Sequence, residues 1–334
     1  RKLIAAILLP LCFCANAATD ESLDSKGGAW KYIPKFGGTM RVFFRQSTAT
    51  GDSRFELANA RLTAGGYVMP WLDYFMQVDF NNLGKIKILD AYSTVTPVNG
   101  LKLMLGQMRV PYCVEATRAP HLYYFADVAL TATFGNLRSV GFKAGYTLPC
   151  APLYFEGGVF NASDMADHNV WNSALTYSIK ANYSARCGLK PEIGFMSRVP
   201  GGAAAGVRVN QVDASLSWKY GRFFTEAEYI YRRYAGSAHK PSQAYNFFVN
   251  YAIPVKWRMA NELSVQGRFD AITDASNGIR NSEGKLRTDI DSRRRVTLGV
   301  TATKTTSAST TSSTSTATQA PRPRQATTTS SSPA

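Results

Sequence analysis

Residues 38–46 read Gly38-Thr39-Met40-Arg41-Val42-Phe43-Phe44-Arg45-Gln46, and their pattern decides the fold class. Met40, Val42 and Phe44 alternate with Arg41, Phe43 and Arg45. A period of two means a strand, here with one apolar face and one face carrying cations. The pattern recurs. Residues 55–65 set Ala58, Ala60 and Leu62 against Asn59 and Arg61, and residues 101–107 set Leu101, Leu103 and Leu105 against Lys102. Residues 139–146 set Val140, Phe142, Ala144 and Tyr146 against Gly141 and Lys143. Residues 293–301 set Val296, Leu298 and Val300 against Arg295, Thr297 and Gly299. A soluble sandwich keeps its charges outside. A membrane barrel turns apolar residues to lipid and holds cations in a wet lumen.

This reading predicts about fourteen strands, over 38–47, 53–68, 71–81, 87–96, 101–107, 137–148, 152–162, 170–184, 188–198, 207–219, 222–234, 241–253, 257–270 and 292–304. Their connections alternate in length. The short ones include 69–70, 97–100, 149–151, 185–187, 220–221 and 254–256. The longer ones are 47–52, 82–86, 108–136, 162–169, 199–206, 235–240 and 271–291. Outer-membrane barrels have short periplasmic turns and long external loops. The fold class is therefore all-β, a transmembrane antiparallel up-and-down β-barrel spanning residues 37–304.

Composition agrees. No window after residue 17 reaches the roughly 18 consecutive apolar residues of a membrane helix. The 26 glycines, 17 tyrosines and 18 phenylalanines of the 334 residues suit twisted strands with tight turns and aromatic anchors. Trp71, Trp218 and Trp257 fall near strand ends, where such anchors belong. Arg1 and Lys2, the apolar run Leu3 to Phe13 and the small residues Ala15 and Ala17 read as a secretory signal over 1–17. A polar leader, 18–36, follows. The net charge is +15. In an exported chain a basic lumen facing anionic solutes fits better than nucleic acid.

Arg41, Arg45, Arg61, Lys102, Lys143 and Arg295 are the candidate lumen cations. Interface anchoring is the bland alternative for each. The longest outer loop, 108–136, is the candidate constriction, with Arg109, Arg118, Tyr123 and Tyr124 as candidates within it. Glu226, Glu228, Glu262, Asp79 and Asp90 also fall on predicted lumen faces and temper any strict anion preference. Guanidinium and ammonium groups offer donors and fixed charge to oxyanions, and a narrow lumen focuses their field. Cys113, Cys150 and Cys187 follow the signal. Cys150 and Cys187 lie in predicted periplasmic turns, and the sequence leaves both a disulfide and separate thiols open. No metal-ligand spacing, cofactor motif or nucleophile–base pattern is present, so a passive channel is expected rather than an enzyme or adhesin.

Two stretches carry a family resemblance: FELANARLTAGGYVMPWLDYFMQVDF (55–80), and ILDAYSTV (88–95) followed by LKLMLGQMRVPYCVE (101–115). In the latter, Gly106-Gln107 and Arg109 precede Pro111. These resemble the second hairpin, the next two strands and the loop entry of the phosphate-selective porin O and P family. In order and spacing the likeness covers 38–304. It implies a sixteen-stranded barrel in the bacterial outer membrane, usually a homotrimer embedded in lipid, passing phosphate or related anions. A general or sugar-conducting porin is the alternative.

The tail, 305–334, has no aromatic, branched aliphatic or acidic residue. A disordered Ser/Thr/Pro extension is one expectation. A shift of reading frame near codon 305 is the other. Read one nucleotide earlier, Thr codons become Tyr, His, Asn or Asp codons, and many Ser codons become apolar ones. That converts the tail into strand, loop and strand, and fourteen strands into sixteen.

Overall fold

The computed structural model describes residues 11–16, 32–47, 50–82, 85–135, 137–162, 171, 174–201, 205–304 and 328–330. They form one antiparallel sheet of sixteen strands, each hydrogen-bonded to its neighbours in sequence. The strands are β1 (Leu11–Asn16), β2 (Lys35–Gln46), β3 (Ser53–Met69), β4 (Leu72–Asn82), β5 (Lys85–Val98) and β6 (Leu101–Arg109). There follow β7 (Arg138–Thr147), β8 (Leu153–Asn161), β9 (Leu175–Tyr183), β10 (Leu189–Arg198) and β11 (Val209–Tyr220). The last are β12 (Phe223–Tyr234), β13 (Ser242–Pro254), β14 (Glu262–Ile272), β15 (Arg293–Thr303) and β16 (Thr328–Ser330). Two short helices, α1 (Val114–Thr117) and α2 (Ala132–Gly135), lie between β6 and β7.

The fourteen predicted strands are β2 to β15, and the all-β up-and-down architecture is as expected. Most bounds shift by one to three residues, and three differences matter more. The outer connection expected at 82–86 shrinks to residues 83–84, because β4 and β5 pair out to Asn82 and Lys85. Strand β14 starts at Glu262, not at 257. Trp257, Arg258 and Met259 do not alternate, and they leave the ladder for a turn closed by Val255 N–H to Asn261 O and Trp257 N–H to Ala260 O. Strand β9 begins at Leu175.

The flanking segments also differ from expectation. Leu11–Asn16, inside the stretch read as an export signal, is a strand paired to β2 from Leu11↔Val42 to Asn16↔Gly37. The free edge of β2 presents unpaired N–H and C=O groups, which an extended apolar segment satisfies. Residues 1–10 and 17–31, the rest of that signal and most of the leader, lie outside the described residues. So does the tail, except for Thr328–Ser330, which pairs with β15 at Thr297–Gly299.

Directly paired residues share a face, so the pairings sort the wall. Lys143 pairs with Met104, and Met104 packs on the cluster inside the barrel. The opposite face is apolar and uncovered: Leu105 is 66% exposed, Ile193 58% and Leu298 62%. Exposed aromatics such as Tyr67, Trp71, Tyr183, Trp218 and Tyr251 gather toward the short turns. An apolar belt edged by aromatics is the outside of a membrane barrel. Closure of each ladder matters there, because an unsatisfied backbone group in lipid costs several kcal/mol.

Cys150 and Cys187 are separate exposed thiols. The disulfide left open by the sequence is not formed. The two turns stand two strand spacings apart, about 10 Å, beyond the span of a disulfide.

Candidate functional site

The long connection, residues 110–137, folds inward. Its first turn is set locally. Cys113 caps α1, its sulfur accepting from Ala116 N–H, and Thr117 Oγ1 donates to the Cys113 carbonyl at 2.8 Å. A Cβ on Gly135 would lie 2.3 Å from that of Cys113, so α1 and α2 touch only because residue 135 lacks one.

The inner half of the loop is apolar. Val110, Tyr112, Cys113, Leu130 and Phe134 pack with Met108 against Phe160, Met196, Ile230, Ala244 and Ile272 of the wall. Loop and wall thereby fill one side of the barrel. Burial, then the charges of Glu228 and Asp213, push the Cys113 thiol well up from its ordinary value.

The tip of the loop is held by charge. Glu228 accepts from Val114 N–H at 2.6 Å, and Leu130 N–H donates to Asp270 at 2.8 Å. Arg118 grips Glu226 through both carboxylate oxygens, at 2.6 and 2.7 Å, and pairs with Glu115. Burial opposes the charge of Arg118, yet Glu226 and Glu115 hold its pKa above the ordinary guanidinium value. Arg41 donates to the Ala126 carbonyl at 2.6 Å, Arg268 to the Asp127 carbonyl at 2.9 Å and Arg295 to the Val128 carbonyl at 2.6 Å. Asp127 takes two hydrogen bonds from Arg45, at 2.9 and 2.5 Å. Burial disfavours its charged form, but Arg45, Arg295 and Arg268 hold its pKa below the ordinary value.

The expected lumen cations thus separate into two groups. Arg41, Arg45, Arg118 and Arg295 anchor the loop. Tyr123 and Tyr124 do likewise: Arg41 lies over Tyr123 at 5.0 Å, and Tyr124 stacks on Phe224 at 5.0 Å. They form no exposed stripe. The second group lines the wall on the other side. Arg61 pairs with Asp79 at 2.9 Å, Lys143 with Glu156 at 3.2 Å, and Lys102 is exposed on the face of Met104. Arg109 pairs across the ladder with Arg138, which is bound to Asp90 at 2.9 and 3.2 Å. The charges of Arg138 and Arg61 both bear on Arg109. Nη1 of Arg61 and Nη1 of Arg109 are buried with no partner from the protein.

Arg138, Lys180, Arg232, Arg268, Glu192 and Asp270 join this network unannounced. The same alternation marks all but Arg138, which is in step with Val140 and Phe142 and reaches Asp90 from the end of β7. In β14, Ser264, Gln266, Arg268 and Asp270 share a face opposite Val265 and Phe269.

No protein-family model matches the chain, and no curated protein matches it, so the resemblance to the phosphate-selective porins rests on sequence motifs alone. Solved structures do match. The anion-selective porin from Comamonas acidovorans aligns with TM-score 0.55 and 12% identity, over 80% of this chain and 83% of that one. The trimer form of OmpT, an outer membrane protein of Vibrio cholerae, gives 0.53 and 12%, over 81% and 84%. A loop L8 deletion mutant of OmpT gives 0.52 and 13%, over 81% and 88%. At such identity the likeness is one of fold, and the fold is the outer-membrane β-barrel.

Proposed function

We propose that the chain is a pore of the bacterial outer membrane that passes small anions, phosphate among them, by passive diffusion. The observation that carries this is the cluster of Arg61, Arg109 and Arg138. Two carboxylates, Asp79 and Asp90, answer three guanidinium groups, which leaves one excess positive charge and two unpartnered Nη1 donors. With the apolar half of the loop packed against β8, β10 and β12 to β14, the passage is left to the side of this cluster, Lys102 and Lys143. Cations in a narrow channel raise the local anion concentration and must bind weakly enough to release. Residues 1–17 act as the export signal, cleavage removes β1 (Leu11–Asn16) with them, and the mature barrel, from β2 onward, assembles as a homotrimer in outer-membrane lipid.

The sugar-conducting reading needs an aromatic track along the passage. Tyr123 and Tyr124 are packed under arginine and phenylalanine instead, which weighs against it. The test is the reversal potential of the full chain in planar bilayers across a potassium chloride gradient. Preference for chloride is expected, and preference for potassium overturns the proposal. Block of the chloride current by millimolar phosphate distinguishes oxyanion affinity from plain anion selectivity.

A further inference from the structure

A cavity of about 290 Å³ lies between α1 and the wall strands β9 to β12, on the short-turn side of the loop. That is the small end of the ligand-pocket range, about 300 Å³ and up. The wall supplies an ordered row. Lys190, Ser217 and Glu226 are direct register partners across β10, β11 and β12. In the next row toward the loop, Glu192 pairs with Ser215.

The charges are unequal in availability. Arg118 already holds both oxygens of Glu226, and Lys180 lies 2.6 Å from Glu192. Lys190 is 3.7 Å from Glu192 and keeps 37% of its side chain exposed. Arg118 also pairs with Glu115, so three cations meet three carboxylates, and Lys190 is the most loosely held of the three cations. Two serine hydroxyls stand beside it. The remaining boundary is Thr117 and the apolar Val114, Leu122 and Phe224.

We propose that this cavity is a second solute station, built for small hydroxycarboxylic acids with an apolar flank. The carboxylate takes the Lys190 ammonium, a charge-assisted bond. The neighbouring hydroxyl bonds to Ser217 or Ser215, and the flank lies against Phe224 and Leu122. The arginine cluster selects by charge alone, whereas this station adds shape. The proposal rests on the anion-pore reading and names one solute class for it.

Mandelate is the probe, with phenylacetate lacking the hydroxyl, and acetate and sulfate lacking the flank. Each is added to the full chain conducting chloride in planar bilayers. Mandelate is expected to interrupt the current at lower concentration than phenylacetate or acetate. Lys190→Met should weaken mandelate about tenfold, relative to sulfate, the measure of one charge-assisted contact. Ser217→Ala should abolish the advantage of mandelate over phenylacetate. Mandelate acting no better than acetate, or equally on K190M and the parent, overturns the station while leaving the anion pore standing. A cation-selective parent instead overturns the reading on which it rests.

Discussion

Asp127 stands where two distant parts of the chain meet. Arg45 of β2 binds it at 2.9 and 2.5 Å, and Arg295 of β15 approaches to 4.0 Å. Asp127→Asn keeps the shape and removes the charge, and should cost about 1–2 kcal/mol of stability. The pH dependence has a definite sign. The folded pKa lies below the ordinary value, so the contribution is complete above about pH 4 and fades as pH falls through the folded value. Heat-denaturation midpoints of parent and D127N should therefore differ at neutral pH and converge in strong acid. A gap that widens in acid would contradict this. Arg109 makes a second case. Arg109→Met removes the unpartnered donor and should lower the chloride-to-potassium permeability ratio several-fold, read from reversal potentials. Arg45 was legible as a lumen residue from its alternation with Phe44. Its partner Asp127 was not, because 82 residues separate them and no local period links a loop to a wall.

At the scale of elements, the strands follow from pattern and the loop from packing. Strands β2 to β15 fall where alternation puts them. They fail at 257–261, where three bulky residues in succession break the period and a turn takes over. The inward fold of 110–137 depends on α1 meeting α2 at Gly135. Gly135→Ala should push the helices apart, given a 2.3 Å approach to the Cys113 Cβ. The expected results are a lower denaturation midpoint and a larger, noisier single-channel conductance. Thr133→Ala, at an exposed position of α2, should change neither. Apolar residues in the loop hinted at burial, but which wall they would cover depended on side chains from β8 to β14 arriving together.

For the whole molecule the question is how a long sheet closes. The tip of the loop binds β2 through Arg41 and Arg45, and β14 and β15 through Arg268 and Arg295. It thus clasps the two flanks of the sheet from inside, and among the described residues no ladder joins β1 to β16. The frame-shift reading of 305–334 bears on that seam. It predicts an uninterrupted shifted frame in the nucleotide sequence, and a stop codon within the tail rules it out. The thiols give a simpler global check. Exposed Cys150 and Cys187 should react with maleimide in the folded, unreduced protein, and buried Cys113 only after unfolding. Sequence by itself determined the all-β class, the strand order and the face on which most of the wall charges lie, because a period of two is a local property of the chain. Only the tertiary structure decided which of those charges anchor the loop and which stay on the wall opposite it. That division depends on the carboxylates and carbonyls each arginine meets across the lumen, and pairing over such separations leaves no periodic trace.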